Sequence, residues 1–363
     1  MCVHRAEVVG SLLRPRYLAE ARAALEAGAL APAQYKWLED RAVDQAIALQ
    51  EGAGLDVVTD GEMRRFTFFD QLVTAIEGLG EVAAKPVPFH ADDGDDIDFQ
   101  SPESVVGKLR RKRMLTPPEY AYARARAAKP VKVTLPSPLM TYAMYTPENS
   151  GEAYPDPWEM FRDAADLVRE EARVLADDGC TYIQIDAPDL CEMVDDKLRA
   201  HWASLGIDPD RVLTEGVEII DSVADAPGVF FALHLCRGNY QSRWISAGGY
   251  ESISKAVFQR AANFDGYVLE YDDPRSGSFA ALDDLPDDKV AVLGLVSSKK
   301  DELESVDDLV ARIEDAARHH PLERLAISTQ CGFASVAMGN EITERTQEDK
   351  LRLVAKTARR VWG

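Results

Sequence analysis

The sequence of 363 residues contains few cysteines, few basic residues relative to acidic ones, and no long hydrophobic run. No stretch approaches the roughly 18 consecutive apolar residues of a membrane-spanning helix, and the first residues lack the apolar core of a signal peptide. Five cysteines scattered over so long a chain do not form the pattern of a disulfide framework. The 62 acidic residues outnumber the 41 lysines and arginines, and the net charge of −21 disfavours nucleic acid and membranes as partners. We therefore expect a cytoplasmic protein with reduced cysteines.

Eight short apolar runs alternate with longer segments in which apolar residues recur every three or four positions. Continuous apolar strands are typical of a parallel sheet covered by helices on both faces. The pattern predicts an α/β protein, a single (β/α)₈ TIM barrel over residues 1–363. An open doubly wound sheet is the competing architecture, but the G-x-G-x-x-G signature that often follows its first strand is absent. The predicted strands are Glu7–Leu12, Asp56–Asp60, Val131–Ser137, Tyr182–Asp186, Val229–Cys236, Gly266–Tyr271, Val290–Val296 and Leu325–Cys331.

The interval between the second and third predicted strands, residues 61–130, is too long for one helix and two loops. It contains an acidic stretch, His90–Phe99, and a basic stretch, Lys108–Met114. We expect residues 78–130 to form an insertion after strand two that acts as a lid over the active site. A solvated face is the plainer interpretation of the basic run Lys108–Arg113, and contact with an anionic donor is the alternative.

Polar and metal-binding side chains concentrate at the carboxyl ends of the predicted strands, where a barrel of this type builds its active site. His234 and Cys236 are two residues apart on one strand, so their side chains point the same way and can reach one ion. Glu270 and Cys331 end two other strands and complete a tetrahedral donor set for one zinc ion per chain. Sulfur ligands disfavour magnesium and calcium. The plainer alternative is that both cysteines are small buried hydrophobic residues and His234 a hydrogen-bonded core histidine.

Seven motifs, in matching order along the chain, resemble the catalytic barrel of cobalamin-independent methionine synthase. The sequence is most similar to the short, single-barrel relatives of that enzyme, a branch that includes the zinc-dependent epoxyalkane:coenzyme M transferases. The resemblance implies a zinc-dependent S-alkyltransferase of methionine biosynthesis, in which a zinc-bound thiolate of homocysteine takes a methyl group. It also implies that the four residues above are the zinc ligands. The motifs are Val8–Pro15, Val57–Arg65, Tyr182–Leu190, His234–Tyr240, Leu269–Gly277, Val292–Lys299 and Ser328–Ser335.

The resemblance implies roles at the substrates as well. Ser11, Glu62 and Asp186 match family positions that hold the amino-acid part of the thiol, and the two carboxylates are expected to receive its ammonium group. Glu192 falls where the family has an acidic residue that lines the donor pocket. Trp244, which follows the zinc motif, is expected to wall the pocket, with ordinary packing as the alternative.

The sequence departs from the family at positions that handle the methyl donor. The family's tryptophan after the third strand is missing from Val133–Leu139, and Ser297 and Ser298 stand where the long enzymes have a proton-donating histidine. Only Glu192, Asp186 or a water held by Ser298 could supply that proton. We therefore expect methylfolate to be a poor donor. A smaller, intrinsically activated donor or a protein-delivered methyl group is expected to be used faster.

The sequence is also compatible with three other functions. The first keeps the zinc thiolate but changes the electrophile, as in thiol addition to an epoxide. The second is a porphyrinogen-decarboxylase-like barrel, which needs no metal, and the third is a binding barrel in which zinc is structural. The expected partners of the leading interpretation are a small-molecule thiol and an alkyl donor, and homo-oligomerisation is left open.

Overall fold

The computed structural model describes residues 3–363, so Met1 and Cys2 of the predicted domain lie outside the described residues. Its strands, numbered along the chain, are β1 (Ala6–Glu7), β2 (Ile76–Gly80), β3 (Val87–Phe89), β4 (Ile97–Phe99), β5 (Ser104–Arg111), β6 (Val133–Pro136), β7 (Tyr182–Asp186), β8 (Phe230–Leu235), β9 (Gly266–Glu270), β10 (Val290–Val296) and β11 (Leu325–Thr329). Seven of them form a curled parallel sheet in the order β1-β11-β10-β9-β8-β7-β6. Adjacent strands in this order form parallel ladders.

Helices connect the parallel strands and bury their apolar faces against the sheet. The helix α5 shows why they form: Asp156 caps its first turn by accepting from the Trp158 amide, Pro157 occupies its first position, and its buried residues recur at helical spacing. Within residues 3–363, no helix is both long and apolar enough to cross a membrane. The helices are α1 (Arg16–Glu26), α2 (Pro32–Ala53), α3 (Thr116–Arg124), α4 (Pro147–Ser150), α5 (Pro157–Asp177), α6 (Pro188–Glu192), α7 (Asp196–Ser204), α8 (Pro209–Arg211), α9 (Val217–Asp221), α10 (Ser254–Arg260), α11 (Val306–Ala316) and α12 (Glu344–Trp362).

The second predicted strand, Asp56–Asp60, does not form a continuous ladder. It contributes one isolated parallel bridge, between Val58 and Val131. On its other side, the Asp56 amide donates to the Ala6 carbonyl over 2.9 Å. The segment therefore lies between the two ends of the curled sheet and bonds to both. The structure shows a TIM-barrel-like α/β fold with seven of the eight predicted runs in a ladder.

The residues after this segment form two small antiparallel sheets. Strand β2 pairs with β5, and β3 pairs with β4. Gly78 has a φ of +104°, and a Cβ there would lie 2.8 Å from the Lys108 carbonyl oxygen, so this crossing requires glycine. These hairpins and α3 fall within the predicted insertion, residues 78–130, apart from the first two residues of β2.

The basic run Lys108–Arg113 lies against the acidic surface of α5. The Lys108 ammonium is 3.0 Å from Glu159, and the Arg111 guanidinium contacts Glu170 and Glu171, the latter over 2.8 Å. These pairs attach β5 to the helix α5. They favour a structural role for this run over contact with an anionic donor.

A buried charged group lies inside the curled sheet. The Lys132 ammonium donates to the Val8 carbonyl over 2.7 Å and to Gln184 Oε1 over 2.8 Å, and it lies 3.5 Å from Glu7 Oε2. The Tyr182 hydroxyl donates to the other oxygen of Glu7 over 3.1 Å. Both charged side chains are almost completely buried. Each charge therefore depends on the other to offset the free-energy cost of burial in a medium of low dielectric.

We predict that Lys132→Ala lowers the free energy of unfolding by about 3–5 kcal/mol, because it leaves the Glu7 carboxylate buried and unpaired. Lys129→Ala, three residues earlier on the exposed surface, should change it by less than about 0.5 kcal/mol. Urea unfolding followed by circular dichroism measures both values. A Glu7→Gln/Lys132→Ala double variant should recover part of the loss, and equal losses in the two single lysine variants would contradict the pairing.

Candidate metal centre

Three of the four predicted metal ligands meet at the mouth of the curled sheet. The ligand atoms of His234, Cys236 and Cys331 all lie within 4.8 Å of one another, and all three residues are buried. His234 lies near the end of β8, and Cys331 follows β11, which is separated from β8 by two strands in the sheet order. The curl of the sheet therefore brings together side chains that are distant in sequence. Hydrogen bonding from Cys236, together with the nearby His234 imidazole, holds the pKa of the Cys331 thiol well below its usual range.

Asp186 orients the imidazole of this group. Its Oδ1 lies 2.8 Å from His234 Nδ1 and accepts a second hydrogen bond from Gln184 Nε2 over 2.6 Å. A proton on Nδ1 leaves Nε2 with its lone pair, and Nε2 is buried without a hydrogen-bond partner among the described residues. Metal-ligating histidines usually donate their second N–H to a carboxylate in this way. The donor set and the free Nε2 thus fit a metal ion that prefers nitrogen and sulfur.

Glu270, the fourth predicted ligand, does not belong to this group of three. One carboxylate oxygen lies 3.1 Å from the Lys299 ammonium, and the other accepts from the Arg237 amide over 2.7 Å. Both charged side chains of the Lys299 pair are buried. The structure therefore places Glu270 at the end of β9, where it was expected, but with its oxygens bonded to protein groups.

A cavity adjoins the three clustered residues and has a polar end and an apolar wall. The polar end includes the predicted substrate residues Ser11, Glu62 and Asp186, and Glu192 lines the cavity as well. The wall is formed by residues that the sequence did not predict, drawn from the insertion and from loops at the strand ends. They are Phe68, Phe69, Val87, Phe89, Phe99, Met140, Tyr240, Ile245 and Val336.

Glu62 is held in an unusual backbone conformation. Its φ is +54°, and the Asp60 carboxylate accepts from its amide over 2.8 Å. One carboxylate oxygen accepts from the Thr134 hydroxyl over 2.7 Å, whereas the other is buried without a partner within residues 3–363. A Cβ on Gly10 would lie 2.6 Å from the first oxygen, so the close approach requires glycine there. Burial raises the pKa of Glu62 to about 7.

Glu192 is bonded to two aromatic side chains. It accepts from the Tyr142 hydroxyl over 2.5 Å and from Trp202 Nε1 over 2.6 Å. The two rings stack with centroids 4.1 Å apart. Burial raises the pKa of Glu192 to about 8. Neither aromatic residue was predicted to be functional, although Tyr142 follows the third predicted strand, at the end of the barrel where the site was expected.

Ser298 does not line the cavity. Its hydroxyl donates to the Gly332 carbonyl over 2.9 Å and accepts from Asn340 Nδ2 over 3.2 Å. It thus connects the loops that follow β10 and β11. A second predicted site residue, Ser11, does line the cavity, and its hydroxyl accepts from the Ala334 amide over 3.2 Å.

Trp244 also lies outside the cavity lining, on the contact between the insertion and the rest of the protein. Its backbone forms an antiparallel bridge with His90, and the two rings lie 5.1 Å apart. The Arg275 guanidinium lies 4.9 Å from the centre of the indole. Trp244 therefore holds the insertion, and Phe89 and Phe99 of the same insertion reach the cavity instead.

Ion pairs attach the tip of the insertion to the loops after β9 and β10. Asp92 lies 2.6 Å from the Arg275 guanidinium and 3.0 Å from the Lys300 ammonium. Hydrogen bonding from Lys300, with added attraction from Arg275, lowers the pKa of Asp92 to about 2. Asp95 pairs with Arg243. Residues 78–130 thus contribute Val87, Phe89 and Phe99 to the cavity lining and are attached by ion pairs at their edge.

Comparison with known proteins places this geometry in a family. Residues 6–356 match the family model described as the catalytic domain of cobalamin-independent synthase. The chain is 35% identical to Bacillus subtilis YxjH, over 99% of this chain and 94% of that protein. It is 25% identical to the methionine synthase of Pyrococcus abyssi, over 90% of this chain and 85% of the relative.

A solved structure shares the fold. The B12-independent methionine synthase from Shewanella sp. W3-18-1, determined in complex with selenomethionine, superposes with a TM-score of 0.78. The two sequences are 20% identical, and the match covers 99% of this chain and 98% of that one. The family predicted from the motifs is confirmed: this chain belongs to the cobalamin-independent synthase catalytic-domain family.

Proposed function

We propose that the protein is a zinc-dependent methyltransferase that methylates the thiol of homocysteine to give methionine. The observation that carries the proposal is the buried group of His234, Cys236 and Cys331, with the imidazole oriented by Asp186. Family membership supports the enzyme class, because relatives such as the Pyrococcus abyssi protein are methionine synthases.

His234, Cys236 and Cys331 would hold one zinc ion per chain, with Glu270 as the fourth ligand in the absence of thiol. The bonds from Lys299 and the Arg237 amide to Glu270 suit this role, since ligating carboxylates are themselves hydrogen-bonded. When bound, zinc would supply the acidity that converts an incoming thiol to its nucleophilic thiolate at neutral pH. Among these ligands the carboxylate is the hardest, so Glu270 is the one that substrate sulfur would displace.

Glu62 is the residue best placed to bind the ammonium group of homocysteine. One of its oxygens is buried and unbonded among the described residues, whereas Oδ1 of Asp186 already serves His234 and Gln184. In this proposal Asp186 affects thiol binding indirectly, because it orients the imidazole that would hold the zinc ion. Ser11 lines the same cavity. The insertion would serve as a lid that excludes water, since Phe89 and Phe99 of this segment line the cavity.

The wider predictions remain part of the proposal. The bridge between Val58 and Val131 supports a closed barrel of eight units. The cytoplasmic location and any self-association remain predictions. Thiol transfer with another acceptor, as in the epoxyalkane:coenzyme M transferases, has less support, because none of the described cavity-lining residues is a lysine or arginine that could bind a sulfonate.

We predict about one zinc ion per chain in the purified protein, and methionine as the product when zinc-loaded protein is given homocysteine and a panel of methyl donors. Cys236→Ser and Cys331→Ser should each lose most of the zinc and the activity while keeping the circular dichroism spectrum. Cys180→Ser is the matched control, because Cys180 is buried outside the group of three ligands and its thiol donates to the Tyr182 carbonyl. Metal analysis and mass spectrometry give the two readouts, and full zinc retention in both site variants would exclude the proposed centre.

We predict that Glu62→Gln raises the KM for homocysteine by about 30-fold or more, because it removes the charge that pairs with a desolvated ammonium group. The KM for the analogue of homocysteine without the amino group should change little. Asp186→Asn provides the comparison: it should weaken zinc binding by about 10–100-fold and affect both thiols alike. A larger loss for homocysteine than for its analogue in Asp186→Asn would assign the ammonium to Asp186 instead.

The same carboxylate predicts a pH dependence. Because the pKa of Glu62 is about 7, the side chain gains a proton and loses its charge as the pH falls through that value. The ratio of the KM for homocysteine to that for the amino-free analogue should therefore rise below pH 7. Taking the ratio cancels the ionisation of the thiol. Glu62→Gln should remove this dependence, and a profile unchanged in the variant would contradict the assignment.

A further inference from the structure

The wall of the cavity contains a continuous series of aromatic rings. Phe89 and Phe99 each contact Tyr240, with ring centroids 5.4 and 5.5 Å apart. Phe99 in turn lies 6.2 Å from Phe69, which lies 5.1 Å from Phe68. All four contacts are edge-to-face, with interplanar angles between 62° and 81°. All five rings line the cavity that reaches the metal centre.

The carboxyl groups that line this cavity are not matched by basic side chains in the lining other than His234. Among the described residues that line it, the acidic ones are Glu62, Asp186 and Glu192, and none is a lysine or arginine. Two buried cations lie close to the site and are already paired. Arg65 is 3.0 Å from Glu119 and 3.7 Å from Glu62 Oε1, and Lys299 is 3.1 Å from Glu270. The protein as a whole carries a net charge of −21. An anionic donor would therefore meet no unpaired lysine or arginine among the described residues of the cavity lining, whereas a cation would be favoured by the overall field.

Aromatic rings next to carboxylates are the surroundings that recognise onium cations, which have no N–H to donate and are attracted to ring faces. On this basis, and resting on the proposed function, we propose that the methyl donor is a small methyl-onium compound, in the first place a methylsulfonium. It would bind against the aromatic wall, centred on Tyr240 and Phe99, in the cavity that Asp186 and Glu62 also line.

This donor class also removes the need for a proton donor. The thiolate of homocysteine uses its electron pair to form the new sulfur–carbon bond, and the bond from the methyl carbon to the sulfonium sulfur breaks. The electron pair of the broken bond stays on the leaving sulfur, which departs as a neutral thioether. The single positive charge and the single negative charge cancel, and no proton is transferred in this step. Ser297 and Ser298 can therefore stand where a histidine would otherwise have to protonate a leaving amine.

Binding of choline tests the recognition separately from the chemistry. Calorimetry compares choline with its neutral isostere, in which a tert-butyl group replaces the trimethylammonium group, using both zinc-loaded and metal-free protein. We expect choline to bind at least about 10-fold more tightly than the isostere. An aromatic wall that served only as an apolar surface would bind the two equally or prefer the isostere, and that result, or failure of both to bind, would overturn the proposal.

Variants of the wall then locate the site. Tyr240→Leu and Phe99→Leu keep an apolar side chain but remove a ring, and each should weaken choline by about 10- to 30-fold while changing the isostere by less than about 2-fold. Tyr240→Phe keeps the ring and should bind choline as the unchanged protein does. Retained zinc content shows that each variant is folded. Equal losses for choline and the isostere would mean that the rings contribute packing alone, which overturns the proposal.

Turnover completes the test. Zinc-loaded protein with homocysteine should form methionine from the sulfonium analogue of choline with a kcat/KM at least about 10-fold above that for monoglutamyl methylfolate. If methionine forms from methylfolate as fast or faster, the donor class is wrong although the proposed function stands. If zinc is absent, or no donor in the panel methylates homocysteine, while choline still binds selectively, the proposed function fails and the onium site is retained. The two failures are thus distinguishable.

Discussion

The hydrogen bond between Asp186 and His234 connects the candidate metal site to the charged interior of the sheet. Asp186 also accepts from Gln184, and Gln184 accepts from the ammonium of Lys132, which lies beside Glu7. A buried polar chain therefore runs from the first strand to the imidazole. In a medium of low dielectric each member is costly without its neighbours, so the chain positions the imidazole more firmly than one hydrogen bond could. The orientation of the histidine is thus a property of the whole strand arrangement.

The cavity beside this site is lined both by carboxyl groups and by apolar side chains, although burial among apolar groups disfavours charge. Glu62 keeps an unbonded carboxylate oxygen in a buried position, which costs free energy until a ligand arrives. The strained φ of Glu62 and the absence of a side chain on Gly10 show that the backbone is arranged around that carboxylate. In the proposed function, the aromatic wall and the insertion would exclude water from the same space, which would strengthen every charge interaction within it.

Much of this arrangement could be predicted from the sequence, because it follows from periodicity and from strand ends. Apolar runs located seven strands, and their ends located His234, Cys236 and Cys331. Other features depend on contacts between segments distant in sequence and left no local pattern. Asp60 accepts from the Glu62 amide, so the second run turns away after a single bridge. Trp244 follows the zinc motif, yet its pairing with His90, 154 positions earlier in the chain, carries it outside the cavity. Sequence alone also could not show that Lys299 and the Arg237 amide already occupy the oxygens of Glu270.

The ion pairs at the edge of the insertion have a consequence for how often the cavity opens. Asp92 and Lys300 are each about half exposed and Asp95 is 74% exposed, so at least one partner of each pair is in contact with water and each pair contributes little by itself. Charges of this kind are screened by salt over a Debye length of about 8 Å at physiological ionic strength, whereas the fully buried Lys299–Glu270 pair is not. Ionic strength should consequently govern the exchange of small molecules between cavity and solvent while leaving the ligand cluster undisturbed. The contacts of the proposed lid and the proposed metal ligands would therefore differ in their sensitivity to salt.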